Sequence, residues 1–502
     1  MTGMEHRIIA IDQSTSGTKV MLFDEQLRML KRVNKAHQQY YPQPGWVEHD
    51  AEEIYNNVVE GVRELLADEP ADTYEYSMAI TNQRETVVVW NRHTGKPIAH
   101  AVVWQCLRGA AYCNQLKAEG WQEMVQERSG LLIDPYFSAS GVHWLLHHVE
   151  GASSEADAGN LLMGTIDSWL VWKLTGGKHH LTDVTNASRT LLLNIRTLQW
   201  DEELLKLFDI PASMMPQVLP CDASFGETTV EGVLPQPIKI AGVLGDSHGA
   251  LAGQMCFAEG YGKATYGTGS SVMVNVGENF CKAPEGLVTS VAFAAKGHTY
   301  YGFEGNIHCT GATLKWMADQ LQLIGSPAEV EQEALRVTDT GGVYLVPAFA
   351  GLGAPWWNTE ARAALVGMSL STTRAHVLRA ALESICYQVN DLVTAMTERA
   401  GVSLKELRVD GGPTKNQTLM QMQSDMLGVS VNCSDVEEAS ALGAVVMNVL
   451  ARGVYASFSE VAQHRKSRQA FHSAMPREQV AQMVAGWHRA VNGVIQMTNQ
   501  QA

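Results

Sequence analysis

Short apolar runs separated by polar, glycine-containing turns are the main pattern along this chain. Residues 8–11 and 20–23 are apolar and flank the polar stretch 12–19, which predicts a β-hairpin around a polar turn. A similar arrangement returns at residues 262–275, where two strand-like runs enclose a glycine- and hydroxyl-rich turn. The repetition predicts a second domain built on the plan of the first.

Helical patterns lie between and after these hairpins. Asp50 with Glu53 forms a capping-box sequence before a run whose apolar positions recur on one helical face. Residues 374–399 carry a longer apolar stripe, and Gly401 is a stop signal. Small residues at 440–446 predict another helix, which suits close packing between domains.

One apolar run, residues 241–244, ends in Gly245 and is followed by Asp246 and by small residues that open a helix. The pattern predicts a buried strand that presents Asp246 at its carboxyl end, where open α/β sheets bind ligands. Asp246 is then either the base that takes a proton from a substrate hydroxyl during phosphoryl transfer, or a helix N-cap. The stretch alone leaves both interpretations open.

The polar turn of the first hairpin also has two interpretations. Turns rich in hydroxyls and small residues present backbone N–H groups that cradle phosphate oxygens, and this turn has that composition. Asp12 at its start is placed to hold Mg²⁺, directly or through water. A plain surface hairpin, in which Asp and Ser satisfy their own backbone, explains the same residues.

Two further stretches place polar groups near strand ends. Arg84 and Glu85 stand side by side between apolar runs. They form either a solvated ion pair or a donor and an acceptor for adjacent hydroxyls of one ligand. Trp104 ends another apolar run and belongs to the core or to a ligand platform. Gly411 and Gly412 follow a strand-like run and suit a tight turn or the close approach of a base or ribose.

Composition narrows the class of protein. A chain of 502 residues exceeds what one hydrophobic core organises, so two large domains are expected. The net charge of −16 argues against nucleic acid as a partner. The 8 cysteines form no CxxC pair, which predicts reduced thiols and a cytoplasmic protein. No apolar run is long enough to cross a bilayer and residues 1–7 carry no signal-peptide core, so no membrane partner is expected.

The longest informative motifs are residues 41–50, 80–86, 103–106, 134–138, 185–190, 266–269, 363–383 and 409–412. Together and in this order they resemble the FGGY family of carbohydrate kinases, and within it the glycerol kinases, over nearly the whole chain. The resemblance implies an α/β fold of two ribonuclease-H-like domains of the actin-like ATPase type with a catalytic cleft between them. Residues 1–251 would form the acceptor and phosphate domain, and residues 252–502 the nucleotide domain.

The resemblance also implies a function. The implied enzyme is a kinase that uses ATP and Mg²⁺. It transfers the γ-phosphoryl group to a terminal hydroxyl of glycerol or a related short polyol or sugar, with Asp246 as the general base. The residues implied for the acceptor are Arg84, Glu85, Trp104, Tyr136, Asp246, Ser247 and Ser271. Those implied for the nucleotide are Thr15, Ser16, Lys19, Thr268, Gly311, Gly412 and Asn416. Asp12 and Asp246 would hold Mg²⁺, and a homodimer or homotetramer is expected by analogy.

Four positions depart from the family pattern. Ser247 and Ser271 stand where glycerol kinases have Gln and Phe, and both changes remove bulk from the acceptor pocket. Ser14 replaces the usual turn glycine, and Gly141 replaces the lysine of the first signature. The wider pocket keeps a second acceptor class open, a four- or five-carbon polyol or ketose. Residues 231–235 lack the Gly-Arg loop with which some bacterial glycerol kinases bind a sugar bisphosphate, so that regulation is not expected.

Two functions outside carbohydrate metabolism use the same fold, a chaperone-like or cytoskeletal ATPase and an inactive sensor. The predicted polyol-binding set around Arg84 has no evident purpose in the first. The retained Asp12 and Asp246 argue against the second. The sequence therefore favours the kinase.

Overall fold

The structure is a computed structural model that describes residues 5–69 and 73–499, with side chains up to 497. Residues 1–4 and 500–502, at the outer ends of the two predicted domains, lie outside these ranges. The first four residues of the stretch considered for a signal peptide are among them.

Strands and helices alternate through the first half of the chain. Its strands are β1 (Glu5–Gln13), β2 (Gly17–Asp24), β3 (Met29–Ala36), β4 (Glu48–His49), β5 (Tyr74–Asn82), β6 (Val87–Asn91), β7 (Ala101–Val102), β8 (Leu161–Thr165), β9 (Leu181–Asp183), β10 (Leu193–Asn194), β11 (Gln199–Trp200), β12 (Gln217–Leu219), β13 (Ser224–Thr228) and β14 (Ile238–Gly245). Its helices are α1 (Ala51–Leu66), α2 (Ala110–Ala118), α3 (Gln122–Ser129), α4 (Ser138–His148), α5 (Ala152–Asp157), α6 (Ile166–Leu174), α7 (Val184–Ala187), α8 (Glu202–Leu207) and α9 (Asp246–Gly253).

The second half has the same mixture. Its strands are β15 (Tyr261–Tyr266), β16 (Ser270–Gly277), β17 (Val288–Ala295), β18 (His298–Ile307), β19 (Tyr344–Val346), β20 (Ala364–Val366), β21 (Glu406–Asp410), β22 (Ser430–Ser434) and β23 (Ser467–Phe471). Its helices are α10 (Gly311–Asp319), α11 (Val330–Ala334), α12 (Arg374–Ala400), α13 (Gln417–Leu427), α14 (Ala439–Ala451), α15 (Phe458–Ala462) and α16 (Arg477–Asn499).

The two halves each contain one large sheet with the same strand plan. In the first sheet the order is β13-β14-β5-β1-β2-β3, and β1, β2 and β3 are antiparallel while β5 and β14 run parallel to β1. In the second the order is β17-β18-β16-β15-β21-β22-β23, with β21 and β22 parallel to β15. The hairpins β1–β2 and β15–β16 therefore occupy corresponding places, and the predicted repetition is confirmed.

Helices α9 and α14 pack against each other, and glycines allow their backbones to touch. A Cβ on Gly443 would lie 2.0 Å from the carbonyl oxygen of Gly249, and one on Gly253 would lie 1.9 Å from that of Ala439. The Asn448 side chain on α14 also donates to the carbonyl of Ala241 at 2.9 Å in the first sheet. The small-residue helix predicted at 440–446 thus packs closely, as expected, and it joins the two halves.

Two predicted helix signals have different outcomes. Gly401 ends α12 in a left-handed conformation with φ of 67°, as predicted. Asp50 caps α1 by accepting the backbone N–H groups of Glu52 and Glu53. The second part of the predicted capping box is wrong, because the Glu53 carboxylate accepts the backbone N–H of Gln38 at 3.1 Å instead of closing back on Asp50.

Over the described ranges, no helix combines the length and the apolar character needed to cross a bilayer. All eight cysteines lie in these ranges as free thiols, and seven of them are buried.

Candidate active site

Asp246 lies at the carboxyl end of β14 and is the first residue of α9. The N-cap position belongs to Gly245, so the N-cap interpretation of Asp246 is wrong. Its carboxylate oxygen Oδ1 accepts the backbone N–H of Ser247 at 2.7 Å and faces Nε of Arg84 at 3.2 Å. The side chain is 37% exposed. A Cβ on Gly245 would lie 2.6 Å from Cγ of Arg84, so glycine is what allows Arg84 to cross this point.

Arg84 and Glu85 belong to a buried cluster of two arginines and two glutamates. The Arg84 guanidinium donates two parallel hydrogen bonds to Glu304 on β18, at 2.7 and 2.8 Å. Arg189 lies 2.9 Å from the same carboxylate and donates from Nε to Glu85 at 2.6 Å. All four side chains are 5% exposed or less, so the interpretation of Arg84 and Glu85 as a solvated ion pair is wrong.

The electrostatics of the cluster differ between its two carboxylates. Burial raises the pKa of Glu85, because it outweighs the lowering effect of Arg84 and Arg189. Burial also opposes ionisation of Glu304, yet Arg189 and Arg84 together hold the pKa of Glu304 well below its usual range. Glu85 adopts φ of 64°, and such left-handed geometry at a residue other than glycine is concentrated at functional sites.

The aromatic side chains predicted for the acceptor form one edge of this region. Trp104 and Tyr136 meet at a ring-centroid distance of 5.4 Å and an angle of 69°, and both are partly exposed. The indole N–H of Trp104 donates to Oγ1 of Thr15 at 2.9 Å. This bond connects the predicted acceptor side chains directly to the polar turn of the first hairpin.

Ser271 on β16 lies beside a buried lysine that the sequence reasoning did not select. The Lys263 ammonium is 3.4 Å from Oγ of Ser271 and 3.4 Å from Oγ1 of Thr265. The Lys263 residue is only 2% exposed, and burial lowers its pKa. Ser247, the other small residue of the predicted pocket, follows Asp246 directly and is partly exposed.

The polar turn between β1 and β2 places Asp12 opposite Lys19 in the strand register. Asp12 is 6% exposed, and its pKa is raised to about 7, chiefly by burial and further by Asp246 and Glu438, while Lys19 lowers it. Ser16 is exposed, whereas Lys19 is partly buried and its ammonium lies 2.6 Å from the Glu438 carboxylate. The charges of Lys19 and Asp246 thus both act on Asp12, at the edge of the first sheet where the parallel strands β1, β5 and β14 end.

The other four predicted nucleotide residues lie at turns and helix starts of the second half: Thr268, Gly311, Gly412 and Asn416. Thr268 occupies the exposed turn between β15 and β16, and Gly311 donates its N–H to the carbonyl of Gly267 at 3.0 Å. A Cβ on Gly311 would lie 2.5 Å from that carbonyl oxygen, so the close approach requires glycine. By contrast, a Cβ on Gly412 would meet no atom of the described residues within 4 Å, its two chain neighbours aside. Gly412 therefore presents bare backbone to open space.

Asn416 has a structural task that limits its predicted role. It caps α13, and its side-chain oxygen accepts the backbone N–H of Leu419 at 2.8 Å. Its amide NH₂ group is the part left to address a nucleotide.

Sequence reasoning missed Glu304, Arg189 and Glu438. A carboxylate among the aromatic residues and glycines of β18 was the available signal for Glu304. Arg189 lies inside the matched motif 185–190 but was given no role. Glu438 precedes a helix of small residues and had no signal beyond its position.

Comparison with known proteins identifies the chain. The N-terminal domain model of the FGGY family of carbohydrate kinases matches residues 7–253, and the C-terminal domain model matches residues 262–452. Glycerol kinase 1 from Thermotoga maritima is 45% identical over 97% of this chain and 99% of its own length. Glycerol kinase from Carboxydothermus hydrogenoformans is 46% identical over 96% and 97%.

Solved structures of carbohydrate kinases agree with these family and sequence matches. A Plasmodium falciparum glycerol kinase determined with ADP is 36% identical and superposes with a TM-score of 0.93 over 98% of both chains. A xylulose kinase from Lactobacillus acidophilus shares the fold at 18% identity, with a TM-score of 0.88 over 99% of this chain and 100% of its own. The fold and the matches define a carbohydrate kinase, a phosphotransferase with an alcohol group as acceptor. The chain belongs to the FGGY family of carbohydrate kinases.

Proposed function

We propose that the protein transfers the γ-phosphoryl group of ATP to a terminal hydroxyl of glycerol and that Asp246 is the general base. The observation that carries this proposal is the position of the Asp246 carboxylate. It is partly exposed and lies 3.2 Å from an arginine whose other end is fixed by Glu304. In the step, an acceptor hydroxyl gives its proton to Asp246, its oxygen bonds to the γ-phosphorus, and the bond to ADP breaks.

The substrate polyol is positioned by hydrogen-bonding groups of the buried cluster that are not used within the cluster itself. Arg84 has five N–H groups, and three face Glu304 and Asp246, so two are available to a substrate. One Glu85 oxygen accepts a hydrogen bond from Arg189, and the other is available to accept a hydrogen bond from a substrate hydroxyl. The edge of Trp104 and Tyr136 supplies apolar contact for the carbon chain.

The residues present fit a magnesium ion. Asp12 is a buried carboxylate whose pKa is about 7, mainly because burial disfavours its charge, and a cation beside it would relieve that cost. Oxygen ligands of this kind are what Mg²⁺ prefers. Asp12 and Asp246 are the residues we assign to hold it. When bound, the ion would neutralise charge on the transferred phosphoryl group.

We propose glycerol as the acceptor, and not a four- or five-carbon polyol or ketose, because of the names and the identity of the relatives. Proteins named glycerol kinase match nearly the full chain at 43–46% identity. The xylulose kinases and a gluconate kinase match at 18–19% and so support the fold alone. Ser247 and Ser271 are then small residues in a site whose acceptor is still a short polyol.

A screen of three- to six-carbon polyols and ketoses for acceptor-dependent ADP release tests the acceptor. We expect glycerol to give the highest kcat/KM. A four- or five-carbon acceptor that exceeds glycerol by tenfold or more would contradict this part of the proposal. ADP release without any acceptor serves as the background, and a rate that no acceptor increases would contradict the kinase assignment itself.

A further inference from the structure

Glu438 reaches from the second half of the chain to two cations of the first sheet. It stands at the N-cap position of α14, yet its side chain makes no capping hydrogen bond. Instead, Oε2 accepts from Nζ of Lys19 at 2.6 Å, and Oε1 accepts from Nη1 of Arg32 at 2.8 Å. Its side chain is 8% exposed, so this is a largely buried contact and not a loose surface pair.

Lys19 connects this contact to phosphoryl transfer. It is the only basic residue in the turn 12–19, and it faces Asp12 across the hairpin. The Glu438 carboxylate is therefore an anion that holds the one cation available to phosphate in this turn. Because the charge of Glu438 also acts on Asp12, it belongs to the same electrostatic site.

The geometry allows Lys19 to change partners while Glu438 stays paired. Arg32 binds the second carboxylate oxygen and remains to balance the charge of Glu438. A cavity of about 470 Å³ is lined by Glu437, Glu438 and Leu442, which gives the carboxylate room to shift. Lys19 is 35% exposed along its side chain, so a ligand in the cleft has access to it.

We propose that Glu438 is a positioning residue that holds Lys19 before nucleotide binds and competes with nucleotide phosphate for it. The inference rests on the proposed function for the place of the phosphates. A carboxylate and a phosphate both gain from a charge-assisted hydrogen bond to an ammonium group. Nucleotide binding therefore includes the free energy of breaking the Lys19–Glu438 pair, and removing the carboxylate charge makes binding tighter.

The test is the Kd of MgADP, measured by isothermal titration calorimetry on the full chain. We expect Glu438→Gln to lower this Kd about fivefold, at the lower end of typical coupling between sites. The KM of MgATP falls in parallel, while the KM of the acceptor is unchanged. Glu437→Gln is the matched control, because Glu437 is 78% exposed and lies 3.9 Å from Arg32, and it is expected to have no effect.

Two further variants separate competition from a structural role. Lys19→Met should weaken MgADP binding, and adding Glu438→Gln to it should give no further gain. Arg32→Met leaves Glu438 with Lys19 alone, so MgADP binding should weaken even though Lys19 and the turn are intact. The weaker MgADP binding of Arg32→Met can be measured even if Glu438→Gln does not fold.

The proposal is overturned if Glu438→Gln binds MgADP no more tightly than the wild type, or if its gain persists in the Lys19→Met background. Because the MgADP titration is carried out without acceptor, these outcomes are independent of the acceptor screen. A protein that phosphorylates no polyol but shows the expected Kd shifts contradicts the proposed function and leaves the Glu438 competition standing.

Discussion

The candidate site has a proposed acceptor end and a proposed nucleotide end, and the two are built differently. At the acceptor end, Arg84, Glu85, Arg189 and Glu304 are almost wholly buried and hold one another at 2.6–2.9 Å or lie in close contact. At the nucleotide end, Thr268, Gly412 and the turns that carry them are exposed and offer mainly backbone. The acceptor end therefore uses side chains fixed by charge, and the nucleotide end uses the shape of the chain.

This difference indicates which changes each end tolerates. A fixed charge cluster loses its geometry when one member is removed, because the remaining charges are left buried without partners. A backbone surface is insensitive to most side-chain changes and sensitive to any atom added where a ligand approaches. The two ends should therefore fail in separable ways.

The largest expected effect follows removal of charge from the acceptor cluster. Glu304→Gln leaves two buried arginines with Glu85 as their one buried counter-charge within the cluster, and we expect kcat/KM for the acceptor to fall at least ~100-fold. The free energy of unfolding should fall by about 3–5 kcal/mol, measured by denaturant titration, while folded protein still binds MgADP. Glu64→Gln is the control, because it breaks a surface pair of 2.6 Å with Lys35 and should cost less than ~1 kcal/mol. Equal effects of the two changes would contradict the distinction between the ends.

The nucleotide end is tested by adding a single methyl group. Gly412→Ala places a Cβ where, within the described part of the chain and beyond its two neighbours, no atom lies within 4 Å, so the melting temperature should not change. The Kd of MgADP should rise about tenfold, because an added group in a close contact costs about 1–3 kcal/mol. Gly411→Ala is the contrasting variant: with φ of 98° and a Cβ 1.9 Å from the carbonyl oxygen of Tyr266, it should destabilise the fold itself. An unchanged Kd in Gly412→Ala would remove Gly412 from the nucleotide site.

A smaller effect is expected from filling the acceptor pocket. The double substitution Ser247→Gln and Ser271→Phe should raise the ratio of kcat/KM for glycerol over a four-carbon polyol by about tenfold, since contacts of a few carbon atoms are worth ~1–3 kcal/mol. The measurement is acceptor-dependent ADP release with both substrates. Ser154→Gln, on the exposed helix α5, is the control. An unmoved ratio would show that positions 247 and 271 do not limit the acceptor.

Local pattern was sufficient to predict much of the fold. The hairpin β1–β2, its counterpart β15–β16, the long helix α12 and the small-residue helix α14 all follow from features within a few residues. A local prediction failed where a group distant in sequence formed the hydrogen bond that was expected within the element. Glu53 was expected to complete the capping box of α1, but its carboxylate accepts the backbone N–H of Gln38 instead.

The candidate site divides in the same way. Asp246 was placed at a strand end by its local pattern, and the structure has it there. The partners that fix the site are 220 residues apart for Arg84 and Glu304, and 419 residues apart for Lys19 and Glu438. No periodicity records such pairs, because they form only when the two halves pack together. The buried state of Arg84 and Glu85 was inaccessible to sequence reasoning for this reason.

The most direct test of the account is the turnover of Asp246→Asn. The account predicts that kcat for glycerol-dependent ADP release falls at least ~100-fold, because asparagine cannot accept the hydroxyl proton, while MgADP binding survives because Asp12 remains to hold Mg²⁺. Asp157→Asn, an exposed change on α5, should leave both kcat and MgADP binding as they are. An undiminished kcat in Asp246→Asn would contradict the assignment of Asp246 as the base.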